Sequence, residues 1–425
     1  MNENFLHLLW RTQRFDKQAL ITISGEKINV IQVGKYNKHN GPDFLEACIE
    51  REGVKWYGSV EIHIKSSDWN KHAHSNDENY KNVILHVVYE NDCDIFNEKY
   101  TTPLPCLELK NKIPSQVLER YQSIIDSENA IVCSAHFNAV PEIIKRNWIE
   151  RVFIMRLEEQ SYKMALTAEK NTNNFDEILW KLIFRYFVSP PNHEAMVTLF
   201  ESIPFQHIKR LKNNPKAIEG ILMGQAGFLN DEIKDGYPKE LQTEYIYQKQ
   251  KLKLESLSKN IWITRSIRNA ASVCIRLSQL AHLLSGSENI FSEILKSRNS
   301  KQIEAIFAAK ANKYWDTHNA PDSETLMEEK KVGIATIGII ISNAILPFLF
   351  FYSRILGDDA LKNTSLNMFQ TLKPEKNSIT EIWKNMEYIA ENAAESQSLV
   401  FLKKNFCDYK LCFECAIGAH ILMTN

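Results

Sequence analysis

Six of the chain's 12 histidines, His7, His39, His63, His72, His74 and His86, lie in its first 86 residues, and four of them fall between His63 and His86. The same stretch, residues 41–92, carries Asp43, Glu61, Lys65, Asp68 and Asp77. Carboxylates and imidazoles at this density are the chemistry of a divalent metal site, hard oxygens suiting Mg²⁺ or Mn²⁺ and imidazole suiting transition ions. Over residues 60–65 the alternation of a strand puts Val60, Ile62 and Ile64 on one face and Glu61, His63 and Lys65 on the other. A preceding strand starts at Asp43 and turns back through Arg51-Glu52-Gly53, so antiparallel pairing brings Asp43 beside Glu61. Two such carboxylates repel unless a cation neutralises them. Asp43 and Glu61 are therefore expected to hold Mg²⁺ or Mn²⁺ and to activate a water toward a phosphodiester, with His63 or Lys65 stabilising charge or moving a proton. Asp68, His72, His74 and His86 stand in second rank, as polar loop residues or, for His86, a core histidine with a satisfied partner.

The elements that must position these groups follow from periodicity. Residues 3–14 read as an amphipathic helix with Phe5, Leu6, Leu9 and Trp10 on one face. Strands are expected at 20–24, 28–33, 44–50, 54–65, 83–88 and 104–109, the run Val83 to Val88 being apolar on both faces like a central strand. From about residue 140 the pattern becomes helical, with helices expected at 147–166, 175–187, 195–211, 240–257, 270–284, 291–309 and 381–405. The expected fold class is α+β, an N-terminal α/β core with a mixed sheet (residues 1–135) followed by a larger all-α domain (136–425).

Composition bounds the partners. The 425 residues are 44% hydrophobic and 24% charged with a net charge of −1, a soluble globular balance without global attraction to nucleic acid. DNA or RNA, the expected partners, must then be held by a local basic surface, for which Arg265, Arg268 and Arg276 with Lys251, Lys253 and Lys259, and Arg146, Arg151 and Arg156, are candidates; solvated helix faces look the same. Residues 332–353 carry no charge and reach the length of a bilayer span, but Asn343 and Pro347 near the middle favour a buried helix broken at the proline, with no membrane role. The N-terminal residues lack the pattern of a secretory signal, and the expected location is cytoplasmic.

Cys407, Cys412 and Cys415 stand as C-x4-C-x2-C among eight cysteines. Soft sulfur at this spacing suits Zn²⁺ or an iron–sulfur cluster, with Cys133, His136 or His420 as fourth ligand, or else the three pack a terminal helix as small apolar side chains.

Pro42-Asp43, followed by Glu61-Ile62-His63 on the next strand and by a buried strand after a connecting segment, resembles the PD-(D/E)xK nuclease superfamily over roughly the first 110 residues. The resemblance implies a restriction-endonuclease-like core in helix-strand-strand-strand-helix-strand order, with residues 76–82 supplying the second helix, and metal-dependent cleavage of nucleic acid. Where the superfamily has Lys this chain has His63, leaving either His63 itself or Lys65 for that role, or a degenerate fold kept as a nucleic-acid or protein binding module. The strings Gly41-Pro42-Asp43-Phe44, Gly58 to His63, Ser67 to His74 and Val83 to Val88, with the ending Cys415 to Gly418, give the whole chain a resemblance to a bacterial family of conserved proteins of unknown function, best represented in the Bacteroidota. His72-Ala73-His74 with Glu78 also resembles the first metal motif of cupins, which implies a metal enzyme acting on a small molecule.

Overall fold

The computed structural model describes residues 1–37, 39–96, 103–170, 174–263, 272–286 and 289–424. The chain forms two compact units, one of Met1–Trp148 with Asn385–Glu387 and Leu402–Asn425, the other of Ile149–Lys384 with Tyr388–Phe401. The class is α+β: a mixed sheet lies in the first unit and helices fill the second. Because residues 402–425 return to the first unit, the three C-terminal cysteines share it with Cys133.

Helix α1, Glu3–Thr12, starts where the Asn2 side chain accepts the Phe5 N–H at 3.0 Å, and it buries Phe5, Leu6, Leu8, Leu9 and Trp10. The strands are β1 (Ile28–Gln32), β2 (Lys35–Tyr36), β3 (Phe44–Arg51), β4 (Val54–Lys65), β5 (Val83–Glu90) and β6 (Cys106–Glu108). Their order is β1-β3-β4-β5-β6, with β2 paired to the start of β3. β3 runs antiparallel to β1 and β4, whereas β4, β5 and β6 are mutually parallel neighbours. Parallel pairing needs a crossover. Residues 66–82 supply it, as helix α2 (Asp68–Lys71) and two tight helical turns, His74–Asn76 and Glu78–Tyr80, instead of one helix over 76–82. Trp69 anchors this crossover, fully buried with Tyr80, Val83, Ile95 and Leu104. Both faces of β5 are covered, which explains its unbroken apolar run.

Residues 20–24 differ from expectation. They pair only at Ile21 with Lys27, around a tight turn in which Gly25 N–H bonds the Thr22 carbonyl. Leu20 and Thr22 are buried while Ile21 and Ile23 are exposed, so the alternation is present, and the tight turn at Gly25 leaves room for a single bridge rather than a strand.

The second unit packs Phe184, Phe187, Leu222, Leu280, Ile341 and Phe348, all fully buried, into one core. The helix expected at 195–211 is interrupted before Phe205 by Pro204, and that at 291–309 divides at Asn299, which caps a new helix by accepting the Gln302 N–H. Ile334–Leu356 is long and apolar enough to cross a membrane, and 67% of its most apolar window is buried. It is not broken at Pro347. The turn Ile341–Ile345 widens to a π-helix just before the proline, which makes room for a ring that would strike the carbonyl four residues back. Arg156 is buried and bonds Asn343 at 3.2 Å, and Arg276 bonds Gln279 and Thr336, each at 3.0 Å, so both serve this unit's interior. Arg265 and Arg268 lie outside the described residues.

Gly58 sets the spacing between β4 and the start of β5. A Cβ there would stand 2.4 Å from the Asn82 carbonyl oxygen and 2.5 Å from Ile84 Cγ2. Gly58→Ala is expected to destabilise the protein by about 1–3 kcal/mol through overpacking. Urea unfolding measures this, and an unchanged midpoint would contradict the tight junction.

Candidate metal centre

Asp43 stands just before β3, where Phe44 pairs with Val60 of β4. The register then shifts between Phe44 and Ala47, and Glu46 takes a left-handed φ of 56° within this bulge. Bulges re-aim neighbouring side chains. Here Asp43 and Glu61 exchange two hydrogen bonds: the Asp43 N–H donates to Glu61 Oε2 at 3.0 Å, and the Ile62 N–H donates to Asp43 Oδ2 at 2.9 Å. The antiparallel neighbourhood read from alternation is present. From α1, His7 Nε2 reaches 3.2 Å from Asp43 Oδ2.

Parallel pairing of Glu61 with His86 brings the two histidines of the sheet together, and His63 Nδ1 lies 2.9 Å from His86 Nε2. The crossover adds two more. His72 Nδ1 is 3.2 Å from His63 Nε2, and His74 Nε2 is 3.3 Å from Glu61 Oε1, which is itself 3.5 Å from His63 Nε2. His63, His72 and His74 each offer a ligand atom within 4.8 Å of the others. Residues two apart converge here because Ala73 between them adopts a left-handed φ of 57°, a strained state for a residue with a Cβ. Trp69 walls the cluster, its ring 5.3 Å from that of His86 and 5.4 Å from that of His74, while Tyr80 stacks on His74 at 3.8 Å. The Trp69 ring N–H is spent on Ser75 Oγ at 3.0 Å. His72 is exposed and marks where the cluster meets solvent.

The electrostatics are those of a site short of positive charge. Burial, then the charge of Asp43, holds the Glu61 carboxyl well above the usual range. Burial, then the imidazoles of His86, His74 and His72, pulls His63 down to about 2. Burial also lowers His74 and takes His86 to about 3. Neutral imidazoles keep a lone pair available for a metal. His7 Nε2 and His74 Nε2 face carboxylate oxygens yet are buried without a hydrogen-bond partner. Nitrogens so placed, beside a carboxylate that cannot ionise alone, fit a cation.

Of the residues read from sequence, Asp43, Glu61, His63, His72, His74 and His86 come together. Lys65 is exposed at the end of β4, where it acts on Glu90 and Asp92, and its N–H bonds Asp68 Oδ2 at 3.0 Å. Asp68 also pairs with Lys71, and Asp77 caps the turn Glu78–Tyr80 by accepting the Asn79 N–H. Glu78, the acid of the cupin-like string, is exposed and paired with Lys81. His7 was missed. Its only sequence signal is its place four residues after Glu3, one turn along the same helix face. Glu3 belongs to the same field, its carboxyl raised by burial first and by Asp43 among the charges.

These shifts set a pH dependence for the metal-free protein. His63 and His86 stay neutral when folded but take protons in the unfolded chain below their ordinary 6.5, so both withdraw stability as pH falls below that value. Glu61 acts oppositely: it keeps its proton when folded and loses it unfolded above its ordinary 4.5, so it withdraws stability as pH rises. Two groups oppose one below 6.5 and Glu61 acts alone above it, which puts the cluster's greatest contribution near pH 6.5. Unfolding in chelator from about pH 5 to about pH 8, minus the same curve for a Glu61→Gln, His63→Asn, His86→Asn variant, is expected to show that maximum. A difference that rises steadily with pH would contradict it.

Comparison with curated proteins and with solved structures gives no match. A family model does match, over residues 3–378, a span that holds every residue of the histidine and carboxylate cluster. By that match the chain belongs to DUF2851, a family described as proteins of unknown function.

Proposed function

We propose that the N-terminal unit is a metal-dependent hydrolase centre acting on phosphodiesters, in which His63, His72, His74 and Glu61 hold the ion. The observation that carries the proposal is the convergence of three imidazoles beside a buried carboxylate, His74 Nε2 at 3.3 Å and His63 Nε2 at 3.5 Å from Glu61 Oε1 and His72 Nδ1 at 3.2 Å from His63 Nε2. This donor set favours Mn²⁺ over Mg²⁺ and suits Zn²⁺ or Fe²⁺ equally well. When bound, the ion would polarise a phosphoryl oxygen and lower the pKa of a water.

The protein groups have separate tasks. His63 Nδ1 lies 2.9 Å from His86 Nε2, a bond that fixes the His63 ring with Nε2 toward Glu61 and makes His86 a positioning residue. Binding the ion discharges the Glu61 proton, so affinity rises with pH. His7 Nε2, 3.2 Å from Asp43 Oδ2, would share a proton with that carboxylate and set its charge beside the ion. The phosphodiester class is supported by Pro42-Asp43 and Glu61-Ile62-His63 on antiparallel neighbours, and by the order α1, β1, β3, β4, α2, β5 with β4 and β5 parallel.

A second reading, a binding module on a degenerate nuclease-like core, is favoured by one observation: Lys65 stands outside the cluster and His63 fills the position expected of Lys. It predicts nucleic-acid or protein binding that survives chelation.

The test strips the protein with chelator, reloads it with Mn²⁺, Zn²⁺ or Mg²⁺, and follows labelled single- and double-stranded DNA and RNA. Glu61→Gln and His74→Ala are expected to abolish cleavage, and His86→Asn to lower metal affinity by about 10–100-fold, as loss of a group that orients a ligating histidine does. Lys65→Ala is expected to leave metal affinity unchanged. Cleavage that is equal in wild type and Glu61→Gln would overturn the proposal.

A further inference from the structure

A half-open cavity of about 120 Å³ indents the helical unit, and all of its walls belong to the segment Ile149–Lys384. Four helices meet around it: Phe175–Tyr186, Phe205–Arg210, Val273–Gly286 and Ile290–Lys296. Two of them begin at its edge. Pro204 precedes the second, and Asn289 caps the fourth by accepting the Ser292 N–H at 3.0 Å. The floor is apolar: Trp180, Phe205, Ile208, Leu284 and Ile290 line it, and all five are buried. The rings of Trp180 and Phe205 lie 6.2 Å apart. The rim is ionic, with Lys209 and Lys212 beside Asp176. Lys209 is already matched, its Nζ 2.6 Å from Asp176 Oδ2 and 5.9 Å from the Phe205 ring centroid. Lys212 is exposed and enters no ion pair among the described residues, so the described rim carries one unbalanced positive charge.

We propose that this cavity binds a compact carboxylate, an aromatic or branched-chain acid whose apolar body rests on Trp180 and Phe205 while its carboxylate meets Lys212. Size and charge select that class together. A cavity of about 150 Å³ takes a benzene ring, so this one suits a single ring or a short branched chain. It falls well below the roughly 300–1,000 Å³ that encloses a larger ligand. Seating the body removes its apolar surface and that of the floor from water, and the head stays at the solvated rim. A cation would meet two ammonium groups there, and an uncharged molecule would lose the pairing with Lys212. The site lies within the helical unit and is independent of the histidine cluster and of the chemistry proposed for it.

The experiment titrates the full chain with benzoate and with 3-methylbutanoate in a calorimeter, with chelator present so that no ion at the histidine cluster captures the carboxylate. Benzamide supplies the ring without the charge, and acetate the charge without the apolar body. Saturable binding of at least one of the two acids is expected, and which one binds distinguishes ring from chain. Benzamide and acetate are expected to bind more weakly than that acid. Lys212→Glu, a change on the exposed rim, is expected to weaken the acid by about fivefold and to leave benzamide unaffected. Leu284→Phe, which fills the floor, is expected to abolish binding; should that variant fail to fold, Lys212→Glu still decides. No saturable binding of either acid, binding no tighter than that of benzamide or acetate, or an affinity unchanged by Lys212→Glu would overturn the assignment.

Discussion

The N-terminal unit is organised around a carboxylate pair, buried Glu61 and half-buried Asp43, that cannot be fully charged on its own. Asp43 and Glu61 face each other across β3 and β4, each accepting a backbone N–H from the other's strand. Burial and mutual repulsion keep Glu61 above its ordinary range, and the neighbouring imidazoles are held neutral by the same burial. A carboxylate without a cation and imidazoles without protons are the two halves on which the proposed metal centre rests. The sheet topology follows the same need. Antiparallel β3 supplies Asp43, parallel β5 supplies His86, and the crossover demanded by the parallel pair supplies His72 and His74.

Strain and packing hold these groups at the cluster. Ala73 and Glu46 take left-handed conformations, one bringing His72 and His74 together at the cluster and the other re-aiming the strand that follows Asp43. Trp69 and Tyr80 close the cluster with apolar surface, which removes water from the imidazoles and strengthens every charge interaction among them. The crossover is a chain of tight turns closed by backbone hydrogen bonds, and fully buried Trp69 ties it to the core. The histidine cluster and the core are therefore coupled in this unit: what positions the donors also fills the core.

Much of this was legible in the residues. Alternation in Val60 to Lys65 and the turn at Arg51-Glu52-Gly53 placed Asp43 by Glu61, because strand geometry leaves little freedom once one face is apolar. The same rule put Lys65 on the site face, but the strand ends there and the side chain reaches solvent. His72 and His74 were ranked too low. Their convergence depends on a single left-handed residue in a polar loop, and no periodicity reports that. His7 comes from a helix far away in sequence, a contact that only the tertiary fold creates. In the helical unit the apolar pattern located several elements but missed Pro215–Gln225 and Asp359–Thr371, and three expected helices are divided: at Pro204, at Asn299, and, for 381–405, between Ser378–Asn385 and Ala393–Leu402.

The most direct test of the proposed centre is anomalous diffraction from a crystal of the protein loaded with Mn²⁺ or Zn²⁺. The account predicts a peak in the N-terminal unit coordinated by His63 Nε2, His72, His74 and Glu61 Oε1. Crystals of ion-saturated protein with no peak at those four side chains would contradict it.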